Sequence, residues 1–248
     1  MAPEVAPGYD AARWIPARPT YAVAARSVRD AQRAAGALLD AVGAVVDAEN
    51  GEVALVLRAL VGGDPLSPDG LAAIGIDVEG GVAVFSEAIE PTLVVHLAAP
   101  EKTRALLERE RRGGQAIVDG VEVRTAALPG GLRASWAIKD GWLWVHVGAV
   151  DGAAAWLSAS RRPGARAWAG DWSWAIRGGG QGARPAIAGF VDARALIERA
   201  AARIPAVACA KLFAPVGRLG VAIEADGGRL GGLVGHGRRL GQPGRVLR

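Results

Sequence analysis

The sequence predicts an α+β fold in which an antiparallel meander sheet, built from hairpins, carries helices packed mainly on one face. Three observations lead there. Asp119-Gly120 and Asp140-Gly141 each separate two alternating apolar runs, and Asp-Gly signals a two-residue hairpin because both turn residues must accept positive φ. Apolar stripes at helical spacing stand between the hairpins. Four times, too, a strand runs almost directly into a helix, often with an acid near the helix start, where it favours the dipole.

In chain order, residues 1–19 contain Pro3, Pro7, Pro16 and Pro19 without periodicity, and are expected to be a leader or tether. A strand at Tyr21–Ala25 meets Ser27, which caps a helix with Asp30 as its capping-box partner. Val28, Ala31, Ala35, Leu38, Leu39, Val42 and Val46 give that helix one stripe. A second helix carries Val53, Val56, Leu57, Leu60 and Val61 and stops at Gly62-Gly63. Ser67-Pro68 opens a short third helix, closed by Gly75. The period then switches to two. Hairpins are expected at Gly81–Ala88 with Thr92–Ala98, Ala116–Val118 with Val121–Leu128, and Leu132–Lys139 with Trp142–Val147. Helices return near residues 101–112, 152–160 and 193–204, and a last hairpin spans Arg218–Ala225 and Arg229–Val234. The single domain runs over residues 20–235, and a Gly- and Arg-rich tail, 236–248, follows.

The recurring unit has four instances: Tyr21–Ala24 into Ser27, Val94–Leu97 into Glu101, Trp144–Val147 into Asp151, and Ile187–Val191 into Asp192. Two of them place a histidine at the same point, His96 and His146. The recurrence suggests an internal duplication.

Composition narrows the function classes. A chain of 248 residues can bury a full core. A single cysteine, Cys209, excludes an intrachain disulfide and any CxxC site, and its alanine neighbours suit a small buried side chain. No apolar run is long enough to cross a membrane as a helix, and the N-terminus lacks the basic and apolar regions of a signal peptide. The net charge of +4 conceals a split: residues 1–100 hold 6 basic and 13 acidic residues, the remainder 23 and 12. Such bipolarity suits internal complementarity, salt-sensitive head-to-tail self-association or an anionic partner at one end, and composition does not choose among them.

The stretch Pro65-Leu66-Ser67-Pro68, Gly75-Ile76-Asp77 and Gly81–Phe85, with Trp136–Leu143 later, resembles uncharacterised exported or lipoprotein-type bacterial proteins over about residues 20–235. The resemblance implies an extracytoplasmic, cell-envelope location, and it carries over no functional residue.

The Asp140-Gly141 turn fixes a register that pairs Lys139 with Trp142, Ala137 with Trp144 and Ser135 with His146. One face is then Trp136, Ile138, Leu143, Val145 and Val147, a core face. The other carries Ser135, Lys139, Trp142, Trp144 and His146. Two tryptophans ending in a histidine suit an amphipathic ligand or a protein partner, unless another element covers them and they are ordinary core. The Arg161, Arg162, Arg166, Trp168, Trp172 and Trp174 segment interleaves cations with indoles, a chemistry suited to an anionic partner by charge and stacking. The competing reading is a solvated linker. No recognition motif accompanies it, so nucleic acid is not expected.

Gly178–Gly182 lacks the Gly-Lys-Ser/Thr ending of a phosphate loop, no Gly-x-Ser-x-Gly elbow occurs, and His96 with His146 has no third ligand at metal spacing. No catalytic residue, metal or cofactor is assigned. Two functional readings follow. One is a non-catalytic exported or envelope protein that binds a partner or amphipathic ligand through the aromatic face. The other is a hydrolase-like enzyme whose site around His96 or His146 assembles only in three dimensions.

Overall fold

The computed structural model describes residues 8–34, 67–108, 113–128, 131–149, 152–160, 172, 185–203, 218–223 and 230–233. Among the described residues ten strands form one antiparallel sheet: β1 Tyr21–Ala25, β2 Val82–Ser86, β3 Thr92–His96, β4 Gly113–Val118, β5 Val121–Ala127, β6 Arg133–Lys139, β7 Trp142–Gly148, β8 Ile187–Asp192, β9 Arg218–Ile223 and β10 Leu230–Leu233. Their order is β10-β9-β8-β1-β2-β3-β7-β6-β5-β4. The strands β4 to β7 form the meander that the two Asp-Gly turns dictate. Asp119 and Asp140 both sit at φ 51°, with Gly120 and Gly141 at 75° and 76°, the conformation a tight primed turn requires.

The expected strand-to-helix junctions are present. Residues 28–34 begin α1 after β1, Pro100–Leu107 is α3 after β3, Gly152–Ser160 is α4 after β7, and Ala193–Arg203 is α5 after β8. The short α2, Pro68–Ala73, is capped by Ser67, whose hydroxyl accepts from the Gly70 N–H, and it turns back at Gly75 with φ 94°. Ser27 accepts from the Asp30 N–H, and Asp192 from the Ala195 N–H, at the same distance into their helices. The β1–β2–β3 group, which carries α1 and α2, adjoins the β8–β9–β10 group, which carries α5, where β1 pairs antiparallel with β8. Gly189 serves that seam, because a Cβ there would stand 2.4 Å from the Ala22 carbonyl oxygen.

The register of the β6–β7 hairpin is the one the turn predicts: Lys139 opposite Trp142, Ala137 opposite Trp144, Ser135 opposite His146. It sorts the side chains onto two cores. Trp136, Leu143 and Val95 lie on one face with Val28, Leu97 and the partly covered Leu71, Leu107, Ile138 and Val145. That face is packed by α1, α2 and α3. Trp142, Trp144, Val94, Phe85 and Ala137 lie on the other, under Tyr9, Trp14 and Ile15 and under Trp156 of α4.

The second face corrects one expectation. Residues 8–19 are no free tether: Tyr9, Ala11, Ala12, Trp14 and Ile15 are buried, and Asp10–Trp14 forms a 3₁₀ turn on the sheet. The prolines break periodicity, which hides such a segment from pattern reading. Its apolar residues need only one turn to reach the sheet. The long helix expected after residue 34, the helix at 53–61, Cys209 and the tail 236–248 lie outside the described residues.

Candidate binding site on the aromatic face

β7 and β3 are neighbours, with Thr92 opposite His146 and His96 opposite Trp142. His96 and His146 thus share a face, as adjacency predicts, but four residues separate them along β3, roughly 13 Å at ~3.3 Å per residue. They cannot ligate one ion. No metal-holding group of three His, Cys, Asp or Glu side chains occurs among the described residues.

The aromatic platform itself is built as expected and then covered. Trp144 is 1 % exposed and Trp142 5 %, and Ser135 is fully buried, its hydroxyl 3.0 Å from that of Thr125. Trp156 of α4 packs edge-on against Trp144 at 5.5 Å, and Trp14 lies 6.0 Å from Trp156. The Arg13 guanidinium stands 4.8 Å above the ring of Trp142, whose cross-strand partner is the half-buried Lys139. Of the two readings of Trp142 and Trp144, an open face or one covered by another element, the structure has the covered one, because the N-terminal segment and α4 supply the apolar cover that removes both indoles from water. The indole N–H groups of Trp14, Trp144 and Trp156 have no hydrogen-bond partner among the described residues.

The two ends of the layer differ. At one end His96 Nδ1 lies 2.9 Å from Asp77 Oδ2, both partly exposed, and the imidazole edge packs on Trp142 at 5.0 Å. At the other end His146 is 6 % exposed and stacks on Trp144, ring centroids 5.9 Å apart and planes within 14°. Its Nδ1 lies 3.0 Å from Thr92 Oγ1, while its Nε2 is buried with no partner among the described residues. Burial pushes the His146 pKa below its ordinary value, and the nearby Glu90 carboxylate opposes that shift. Glu90 is itself buried and accepts from the Ala149 N–H at 2.9 Å. A cavity of ≈ 170 Å³ opens beside these groups, its lining a mixture of polar residues (Glu90, Thr92, His146 and Ser86) and apolar ones (Phe85, Pro16, Ala154 and Ala155).

Neither histidine completes a triad among the described residues. The Thr92–His146 contact has the geometry of a hydroxyl and a base, but no carboxylate is bonded to Nε2. His96 has its carboxylate in Asp77 but no hydroxyl contact is seen at its other nitrogen.

Sequence reasoning missed Glu90, Thr92 and Pro16, since no pattern links the β2–β3 connection or the N-terminal segment to β7. The alternation of β3 with β7, once their adjacency is known, would have found Thr92. Of the Arg- and Trp-rich segment, Arg161, Arg162, Arg166, Trp168 and Trp174 lie outside the described residues. Trp172 is buried, with Tyr9 edge-on to it at 5.6 Å, so this indole belongs to the core and is not displayed for an anionic partner. No protein-family model, curated protein or solved structure matches this chain.

Proposed function

We propose that this is a binding protein that takes the hydroxylated end group of a small amphipathic ligand in the cavity beside His146. The observation that carries the reading is a buried imidazole held through Nδ1 by Thr92, with its Nε2 unmatched, on the wall of a cavity lined by both polar and apolar side chains. An unmatched buried polar atom costs ~1–3 kcal/mol, so a ligand hydroxyl that pairs with it recovers that cost on binding. The Glu90 carboxylate favours a ligand group that donates hydrogen bonds, and it disfavours an anionic one. Phe85, Pro16, Ala154 and Ala155 suit an apolar stem. An engineered cavity of ~150 Å³ accommodates benzene, so ≈ 170 Å³ suits one ring or headgroup and not a whole glycan or lipid.

A titration with octyl glucoside below its micelle concentration tests the reading by tryptophan fluorescence and thermal melting. The expected result is saturable quenching with a raised Tm, lost in His146→Phe, which keeps the stack on Trp144 and removes both nitrogens. Absence of saturable binding in the wild-type chain, or binding unchanged in His146→Phe, overturns it.

A further inference from the structure

β4 ends the sheet, paired with β5 on one side and with no described strand on the other. The Asp119-Gly120 turn makes Val118 and Val121 a pair that exchanges both backbone hydrogen bonds. Counting back along the strand, Val118, Ala116 and Gly114 direct their N–H and C=O groups to β5. Gly113, Gln115 and Ile117 direct theirs outward. Exposed edges are usually guarded by charge, proline or a bulge. The strand reads Gly-Gly-Gln-Ala-Ile-Val, with neither charge nor proline, and Ile117 is 76 % exposed on it.

We propose that this edge pairs with β4 of a second copy of the chain, antiparallel and about a two-fold axis through Gln115. That register sets Gly113 opposite Ile117, Gly114 opposite Ala116 and Gln115 opposite Gln115, and every outward donor from Gly113 to Ile117 meets an acceptor. It also explains the uneven distribution of side chains. Each exposed Ile117 lies opposite a glycine, beside a groove of ≈ 360 Å³ lined by Glu108, Gln115, Arg124 and Trp136. Ile117, Gln115, Arg124 and Trp136 lie on one face of the sheet by register, so the isoleucine stands on the same face as these three groove residues. In the sequence Arg111-Arg112 precede the strand and Asp119 follows it, so its two flanks differ in sign of charge, which favours antiparallel over parallel pairing. A self-complementary strand of this kind favours its own copy over an unrelated extended peptide, which would have no reason to match isoleucine to glycine.

Light scattering and sedimentation on the full chain test the proposal. The wild-type protein should reach twice its 25.4 kDa mass as concentration rises. Gln115→Pro removes an outward N–H and leaves the β4–β5 ladder intact, so it should keep the wild-type circular dichroism while raising the dimer dissociation constant at least about tenfold. Ile117→Lys should do the same. Ala116→Pro, which breaks the inner ladder, serves as the comparison and should lower stability as well. A wild-type chain that stays monomeric at every concentration overturns the proposal, even if the edge captures an extended peptide. A dimer untouched by Gln115→Pro and Ile117→Lys also overturns it. So does one that dissolves in high salt yet resists both substitutions, since that behaviour belongs to contact between acidic and arginine-rich regions.

Discussion

The indole of Trp14 lies 6.4 Å from that of Trp142, which joins the start of the chain to the centre of its sheet. The contact does not stand alone. Tyr9 packs edge-on to Trp172, its hydroxyl donates to the Pro185 carbonyl, and Ile15 is buried nearby. The N-terminal segment is thus a part of the core that happens to lack regular structure beyond one 3₁₀ turn.

Trp14→Ala should therefore cost stability on the scale of a core residue, about 3–5 kcal/mol, and not the few tenths of a surface change. Urea denaturation followed by circular dichroism measures it. A midpoint unchanged from wild type would mean that residues 8–16 rest on the sheet without stabilising it.

The double change Trp142→Ala/Trp144→Ala should unfold the protein. Each large-to-small change at these buried positions costs about 3–5 kcal/mol, against a total stability of order 5–15 kcal/mol for a domain. Loss of the far-ultraviolet signal and of a cooperative melt is the expected outcome. A double mutant that melts like wild type would instead make the two indoles dispensable to the fold, as an exposed platform would be.

Stability should fall on mild acidification because of His146. Its pKa is lowered in the folded state, so over the window between that lowered value and the ordinary 6.5 the unfolded chain binds the proton that the folded chain refuses. Stability then rises with pH through the window, is fully present above about 6.5, and is lost as pH falls toward the folded value. Glu90 works against this by favouring the imidazolium, which moderates the slope without reversing it. Urea midpoints measured from pH 7.5 down to about 5 should decline in wild type and decline less in His146→Gln. Equal slopes in the two proteins would show that other carboxylates and histidines carry the acid sensitivity.

Much of the sheet was legible because its determinants are local. The Asp-Gly turns set positive φ at four residues, period-two alternation then assigned every side chain of β6 and β7 to a face, and Ser27, Ser67 and Asp192 marked helix starts by their own hydrogen bonds. Even so, Ile138 and Val145 are only partly covered on the face assigned to the core, because α3 and its neighbours screen Trp136 and Leu143 more completely. An aspartate at Val145 should accordingly be milder than one at Leu143, which has less water within reach.

By itself the sequence determined the α+β class, the hairpin registers, the strand-to-helix junctions and the facing of Trp142, Trp144 and His146. Tertiary structure alone decided what lies on top of them. Register is set by turn geometry and by a two-residue period, both of which operate over a few residues. Burial depends on which distant segment docks, here Tyr9–Ile15 and α4, and docking is driven by apolar area that has no directional code in the chain. The same physics placed Thr92 beside His146 and left Ile117 at a sheet edge. Strand order follows from how the hairpins pack together, and no single hairpin specifies it.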